Sequence, residues 1–248
     1  MSGVLPADPR ESVGGCQPAE LSAGSAPGGG RPVSGRLAQF SAPLASVPDS
    51  WQPSWNLSPG QRLLILRKVD NQLECVEVLW NLTPGWLRDL SRAPFSAQAE
   101  FLHDKPMFRE PLVQRRCLIP VDGFYIWKQQ GQRKQPWYLR REQGGLALAG
   151  LWERYALDDG SYWDSCTLIT APAKGLPARL GERMPVTLNR AEQAIWLAAA
   201  TAPRALQPLL LNADSEVQLM YPVNPAVSSP ATQGPQCCNP TGLAVRLD

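Results

Sequence analysis

Between Arg62 and Thr170 the chain is a succession of short apolar runs, each closed by a turn signal, and this punctuation constrains the fold most. Runs of that length bounded by polar and glycine-bearing turns read as strands rather than helices. Arg62–Val69 and Leu73–Leu79 flank Asp70-Asn71-Gln72, a spacing that predicts a hairpin. Arg116–Pro120, Gly123–Lys128, Pro136–Arg141, Leu146–Trp152 and Ser165–Thr170 follow, with turns expected at Gly131 and at Asp158-Asp159-Gly160. Two helices are expected later. Arg190–Ala200 opens after Asn189, a good capping residue, and carries Glu192 in its first turn. Pro203–Leu211 begins with proline, which a first helical turn tolerates. Strands first and helices last predict an α+β domain around a curved, largely antiparallel β-sheet.

The two ends read differently. Residues 1–33 hold seven Gly, five Pro and four Ser and no aromatic residue. Such a stretch cannot bury enough apolar surface to offset its ordering entropy, so residues 1–32 are expected to form a disordered extension. Pro225–Gly242 is again rich in Pro, Ser and Gly, and 224–248 is expected as a loose tail. The folded domain is then 33–223, with no internal repeat. A chain of 248 residues can bury about three quarters of its extended surface and needs no disulfide to hold it.

A net charge of +2 is too small to argue for nucleic acid by itself. The local balance says more. Between Phe101 and Gly145 nine Lys or Arg stand against four acids, with Phe108, Phe124, Tyr125, Trp127, Trp137 and Tyr138 among them. Cations among flat rings suit a single strand, whose phosphates need charge and whose bases need stacking partners; the alternative is a solvated sheet face over core aromatics. Six cysteines have no framework spacing, and no C-x-x-C is present, which argues against zinc. Cys117 and Cys166 lie in apolar runs, where a thiol is a small hydrophobe, whereas Cys237-Cys238 are expected to be exposed. His103 is the sole histidine, so no scheme needing two imidazoles is available. No apolar run approaches the roughly 20 residues that span a bilayer, and no secretory signal is visible. A reduced, cytoplasmic monomer without metal or cofactor is expected.

Seven blocks, in order, carry a resemblance. They are Ser34-Gly35-Arg36-Leu37-Ala38, Trp55-Asn56-Leu57-Ser58-Pro59-Gly60, Trp80 to Trp86, Phe95 to Glu100, Arg116 to Trp127, Gly150-Leu151-Trp152-Glu153 and Leu180 to Val186. Together they resemble the SOS response-associated peptidase family, the abasic-site processing proteins, from about Val33 to Val223. The resemblance implies that an N-terminal cysteine, by its α-amine and thiol, captures the aldehyde of an abasic site in single-stranded DNA as a thiazolidine. A glutamate, a histidine and an asparagine assist. Each has a reason: a thiol attacks as thiolate, carboxylate and imidazole move protons, and an amide holds geometry.

At those positions this chain departs. The resemblance puts the cysteine at Ser34, the asparagine at Ser96, the glutamate at Ile126 and the histidine at Gly181. Losing one general acid or base costs about 100- to 10,000-fold, so crosslinking is expected to be poor or absent. The family's nucleophile is the first residue of the mature chain, which makes residues 1–32 an expected mis-called extension ahead of Val33. On the DNA side, Arg36 answers the family's arginine beside the nucleophile, and Trp86 an aromatic that abuts bases. Lys105 and Arg183 fall at or near basic positions, while Gln98 replaces an arginine expected to hold phosphate. The expected partner is single-stranded DNA, possibly abasic, with a nucleoid-associated location if it binds. The alternatives are an interaction module reusing the fold and a residual crosslinker or hydrolase working through an N-terminal serine. His103 matches no role in the family.

Overall fold

Asp70 and Asn71 take positive φ, 48° and 65°, and so close a tight hairpin between Arg62–Val69 and Gln72–Trp80. Positive φ at both central positions of a two-residue turn matches the right-handed twist of its strands. The pairing runs without a break from Arg62 opposite Leu79 to Val69 opposite Gln72. In this computed structural model residues 35–43 and 46–247 are described. Ser34 and the expected extension 1–32 lie outside the described residues.

Along the chain the strands are β1 (Leu37–Gln39), β2 (Ser54–Leu57), β3 (Arg62–Val69), β4 (Gln72–Trp80) and β5 (Ser96–Gln98). Helix α1 (Pro106–Gln114) precedes β6 (Arg116–Val121), β7 (Gly123–Gln130), β8 (Arg133–Arg140), β9 (Leu146–Ala156), β10 (Tyr162–Pro172) and β11 (Arg183–Pro185). Helices α2 (Arg190–Leu197) and α3 (Pro203–Asn212) follow, then β12 (Leu219–Pro222) and β13 (Val245–Arg246). The α+β class is as expected, but the strands form two sheets instead of one. One runs β13-β12-β8-β7-β1-β2. In the other, β10 pairs with β4 on one side and β9 on the other, so β10, β4, β3, β6 and β9 close a ring. Two of its seams are short: Leu79 and Trp80 pair with Ser165 and Cys166, and Leu66 and Arg67 with Leu118 and Cys117. The pairings are antiparallel except where β10 runs parallel to β4 and β5.

Alternation along the strands then makes three cores. Cys117, Ile119, Leu146 and Leu148 point into the first, which the ring shares with Leu37, Phe124, Ile126 and Leu139 of the other sheet. Leu118, Ala149 and Leu151 point outward into the second, covered by Phe108, Leu112, Trp196, Leu206 and Leu210 of the helices. Ala38, Tyr125 and Tyr138 point into a third, beneath Val227 and Cys237.

Asn189 caps α2 as expected: its side chain accepts from Ala191 and Glu192 amides while Glu192 reaches back to its backbone. The helix ends at Leu197 instead of Ala200. Helix α1 has no counterpart in the sequence reading, because Pro106 and Pro111 look like breakers; Pro106 sits in the first turn, and burial of Phe108 and Leu112 carries the interior proline.

The segment after Val223 corrects the expectation of a loose tail. Asn56, fully buried, donates its amide to the carbonyls of Val227, Ser229 and Thr232 at 2.9–3.0 Å. Gln233 returns a bond to the Asn56 carbonyl, and β13 pairs with β12. Proline and glycine content misled here because the segment is held by side-chain amides and by Val227 and Cys237 in the third core, not by its own helix or hairpin. Cys237 is accordingly buried, not exposed.

Candidate nucleic-acid interface

Strand β1 lies antiparallel to β7 with Leu37 opposite Phe124 and Ala38 opposite Gly123. The amide of Tyr125 donates to the Arg36 carbonyl at 3.2 Å, so the backbone ahead of β1 continues alongside Ile126. A side chain at Gly35 would touch the Pro59 ring, its Cβ 3.9 Å from Cδ. Three of the sequence blocks, around 35, 59 and 125, thus meet at one corner of the sheet that holds β1 and β7.

The Arg36 guanidinium is half-buried at this corner and donates from Nη2 to the Ser228 carbonyl at 3.0 Å and from Nη1 to the Gly35 carbonyl at 3.3 Å. Burial lowers its pKa from the ordinary value. Trp127 donates its indole Nε1 to Ser228 Oγ at 3.0 Å. Ser228 therefore bridges two blocks that lie 101 and 192 residues earlier; sequence reading missed it, and the only signal was Asn56 in the Trp55–Gly60 block, whose amide fastens the segment carrying Ser228.

Ile126 is 7% exposed and packs into the first core. Gly181 ends the turn after the short 3₁₀ helix Leu176–Arg179, its amide donating to the Pro177 carbonyl. A Cβ built at Gly181 would stand 3.8 Å from Ile126 Cγ2. The structure thus brings together the two positions where the resemblance puts a carboxylate and an imidazole. What meets there is a branched alkyl group and a bare backbone, neither of which can carry a proton.

The remaining residues are more dispersed. Ser96 and Gln98 are half-buried on β5, in register with Leu168 and Thr170. Arg183 on β11 forks both oxygens of Glu100, at 2.6 and 2.8 Å, and also donates to the Thr170 carbonyl at 2.9 Å. Those hydrogen bonds hold the Glu100 carboxyl below its ordinary pKa against the opposing effect of burial. The guanidinium is thereby committed to a carboxylate. Trp86 is 59% exposed in the loop after β4. That loop has a firm base: Thr83 donates its amide and hydroxyl to Ser165 Oγ, both at 2.8 Å, and accepts from Trp163 Nε1. Lys105 is exposed at the start of α1, a helix that packs on the second core. His103 gives only its carbonyl, to Arg109.

No described cysteine offers an activated thiolate. Desolvation raises the pKa of Cys75, Cys117, Cys166 and Cys237, and pushes Cys238 up to about 11 despite its contact with the Tyr125 hydroxyl at 3.2 Å. A nucleophilic thiol needs the opposite shift. Among the described residues no group of three or more His, Cys, Asp or Glu could hold a metal ion. No described helix is long and apolar enough to cross a membrane.

Residues 31–230 match the family described as SOS response associated peptidase (SRAP). The chain belongs to the SRAP family. It is 33% identical over 205 residues to the abasic site processing protein YoqW of Bacillus subtilis, covering 81% of this chain and 92% of that one. With the abasic site processing protein YoaM of the same organism it shares 35% over 185 residues, covering 73% and 82%. The abasic site processing protein HMCES of Gallus gallus is 27% identical over 233 residues, covering 79% of this chain and 68% of that one. A crystal structure of a protein from Bacteroides thetaiotaomicron superposes with a TM-score of 0.67 at 23% identity, over 75% of this chain and 85% of that one, a likeness of fold. A phage-related protein from Bordetella bronchiseptica gives 0.61 at 26% identity, over 77% and 94%. The SRAP scaffold is thus kept, and it places the family in DNA-damage processing.

Proposed function

We propose that this SRAP protein binds single-stranded or damaged DNA in the DNA-damage response without forming the thiazolidine crosslink. The placement of Gly181 opposite Ile126, where an added Cβ would meet the alkyl group, carries the reading, because a hydrocarbon and a bare backbone stand where the resemblance implies a proton-transfer pair. The Ser34 hydroxyl is a weak nucleophile near neutral pH and needs an adjacent base, which position 126 cannot supply. The binding half of the reading draws on Arg36 at the corner of the sheet and on Trp86, an exposed indole on a rigid base suited to a nucleobase.

The test mixes protein beginning at Ser34 with a single strand carrying one abasic site, beside undamaged DNA, and divides each sample between a denaturing and a native gel. The expected result is no covalent band and a native shift that fades with added salt. A covalent band would overturn the loss of chemistry. Absence of any shift would overturn DNA binding and leave a protein-interaction module. The double change Arg36→Ala with Trp86→Ala is expected to abolish the shift.

A further inference from the structure

From Gly123 to Arg141 the chain carries five cations and no carboxylate. Two of the five are engaged. Arg140 donates to the carbonyls of Arg141 and Glu142, and Arg141 faces Glu216 at 3.8 Å. Lys128, Arg133 and Lys134 make no ion pair among the described residues. They sit on the β7–β8 hairpin, where Lys128 pairs with Gln135, Gln129 with Lys134 and Gln130 with Arg133.

Against this hairpin lies the C-terminal segment, itself without a carboxylate from Val217 to Leu247. Val223 donates its amide to the Pro136 carbonyl at 3.0 Å and accepts from Gln135 Nε2 at 2.8 Å. The two segments border an open cleft of about 530 Å³ lined by Gln130, Arg133, Lys134, Gln135 and Pro225. Its walls thus present positive charge with no acid in either segment to cancel it, a field of one sign that draws anions. Pro225 begins the 3₁₀ turn that ends at Ser228, and the Ser228 carbonyl holds Arg36. Such a turn rises about 2 Å per residue, so about 6 Å of backbone links the cleft wall to the Arg36 contact.

We propose that this cleft is a phosphate-binding subsite for the strand that Arg36 engages, a nucleotide or so along the backbone. The Arg133 guanidinium can fork two phosphate oxygens, Lys134 supplies a point charge and the Gln130 amide a further donor. The assignment rests on the DNA-binding reading above, and the experiment separates the two.

Single-strand affinity is measured against salt for the unaltered chain, for Arg133→Gln/Lys134→Gln and for a charge-matched control, Lys68→Gln/Arg204→Gln. All four residues are exposed, so melting temperature is expected to stay unchanged. The cleft variant is expected to lose about tenfold in affinity and to flatten the log–log salt slope by about 1.4, roughly 0.7 for each lost phosphate contact. The control is expected to leave the slope unchanged. A cleft variant with the control's slope overturns the proposal. Should the unaltered chain bind no single strand, the DNA reading falls and inorganic tripolyphosphate decides the cleft: a rise in melting temperature that the cleft variant abolishes supports it, and no rise overturns it.

Discussion

Two buried positions, 153 and 126, hold opposite kinds of residue in this chain, although the resemblance implies a glutamate at the second as well. Glu153 keeps its carboxylate although only 6% of the residue is exposed, and Arg115 reaches it at 3.1 Å. Burial raises its pKa, with the Arg115 charge pulling the other way. Ile126 is as deeply buried, and the residue facing it is Gly181, which has no side chain. A buried charge survives where a partner stands opposite. Where no partner stands opposite, an alkyl group is the stable occupant, since an unpaired buried carboxylate costs several kcal/mol.

The largest test of that contrast is Ile126→Glu. Losing the buried alkyl group and gaining an unpartnered carboxylate is expected to destabilise by about 4 kcal/mol or more, read by denaturant unfolding. Desolvation will hold the new carboxyl above its unfolded pKa. The deficit is therefore expected to shrink below the ordinary glutamate range and to grow as pH rises through the folded value. Adding Gly181→His should return about 1–3 kcal/mol of it through coupling between touching sites; strict additivity would mean that the two side chains do not meet.

Next comes Arg115→Met, which strands Glu153. A loss of about 3 kcal/mol is expected, at the low end for a broken buried pair because Arg115 is partly exposed and Glu110 shares it. Glu153→Gln should lose less, since a neutral amide tolerates burial; a larger loss from Glu153→Gln would reverse the argument.

The smallest expected effect is Glu100→Gln, which breaks the fork to Arg183. Both residues are partly exposed, so about 1 kcal/mol is expected at neutral pH. Its sign with pH is opposite to that of Ile126→Glu. The folded carboxyl sits below its ordinary pKa, so its contribution is present above the unfolded value and disappears as pH falls through the folded one. Unfolding curves of parent and variant should then converge in acid. The same variant frees Arg183, and a gain in single-strand affinity would show that the ion pair holds this arginine away from phosphate.

The candidate site was legible in the sequence as residue types, not as contacts. Ile126 and Gly181 can be read by identity alone as residues that carry no proton, and Trp86 is exposed, as the proposed base-stacking role requires. Arg183 was legible as a cation but not as one already engaged, because Glu100 lies 83 residues away. Ser228 was legible only indirectly, through Asn56, since its contribution to Arg36 is a backbone carbonyl, which every residue possesses. The cysteines show the same limit. Cys237 and Cys238 sit among prolines and glycines, and only the position of that segment against Tyr125 makes one buried and the other a poor thiolate.

By itself the sequence determined what local chemistry can decide. It marked the Asp70-Asn71 turn, the strand runs from Arg62 onward and the Asn189 cap with its Glu192 partner, all interactions among residues a few positions apart. Only the tertiary structure decided that β10 closes a ring by pairing with β4, that Asn56 on β2 pins the C-terminal segment, and that a side chain at 181 would meet Ile126. Those contacts join residues tens to well over a hundred positions apart. Their loop-closure entropy is repaid by the shared cores, and no local pattern records which distant partner repays it.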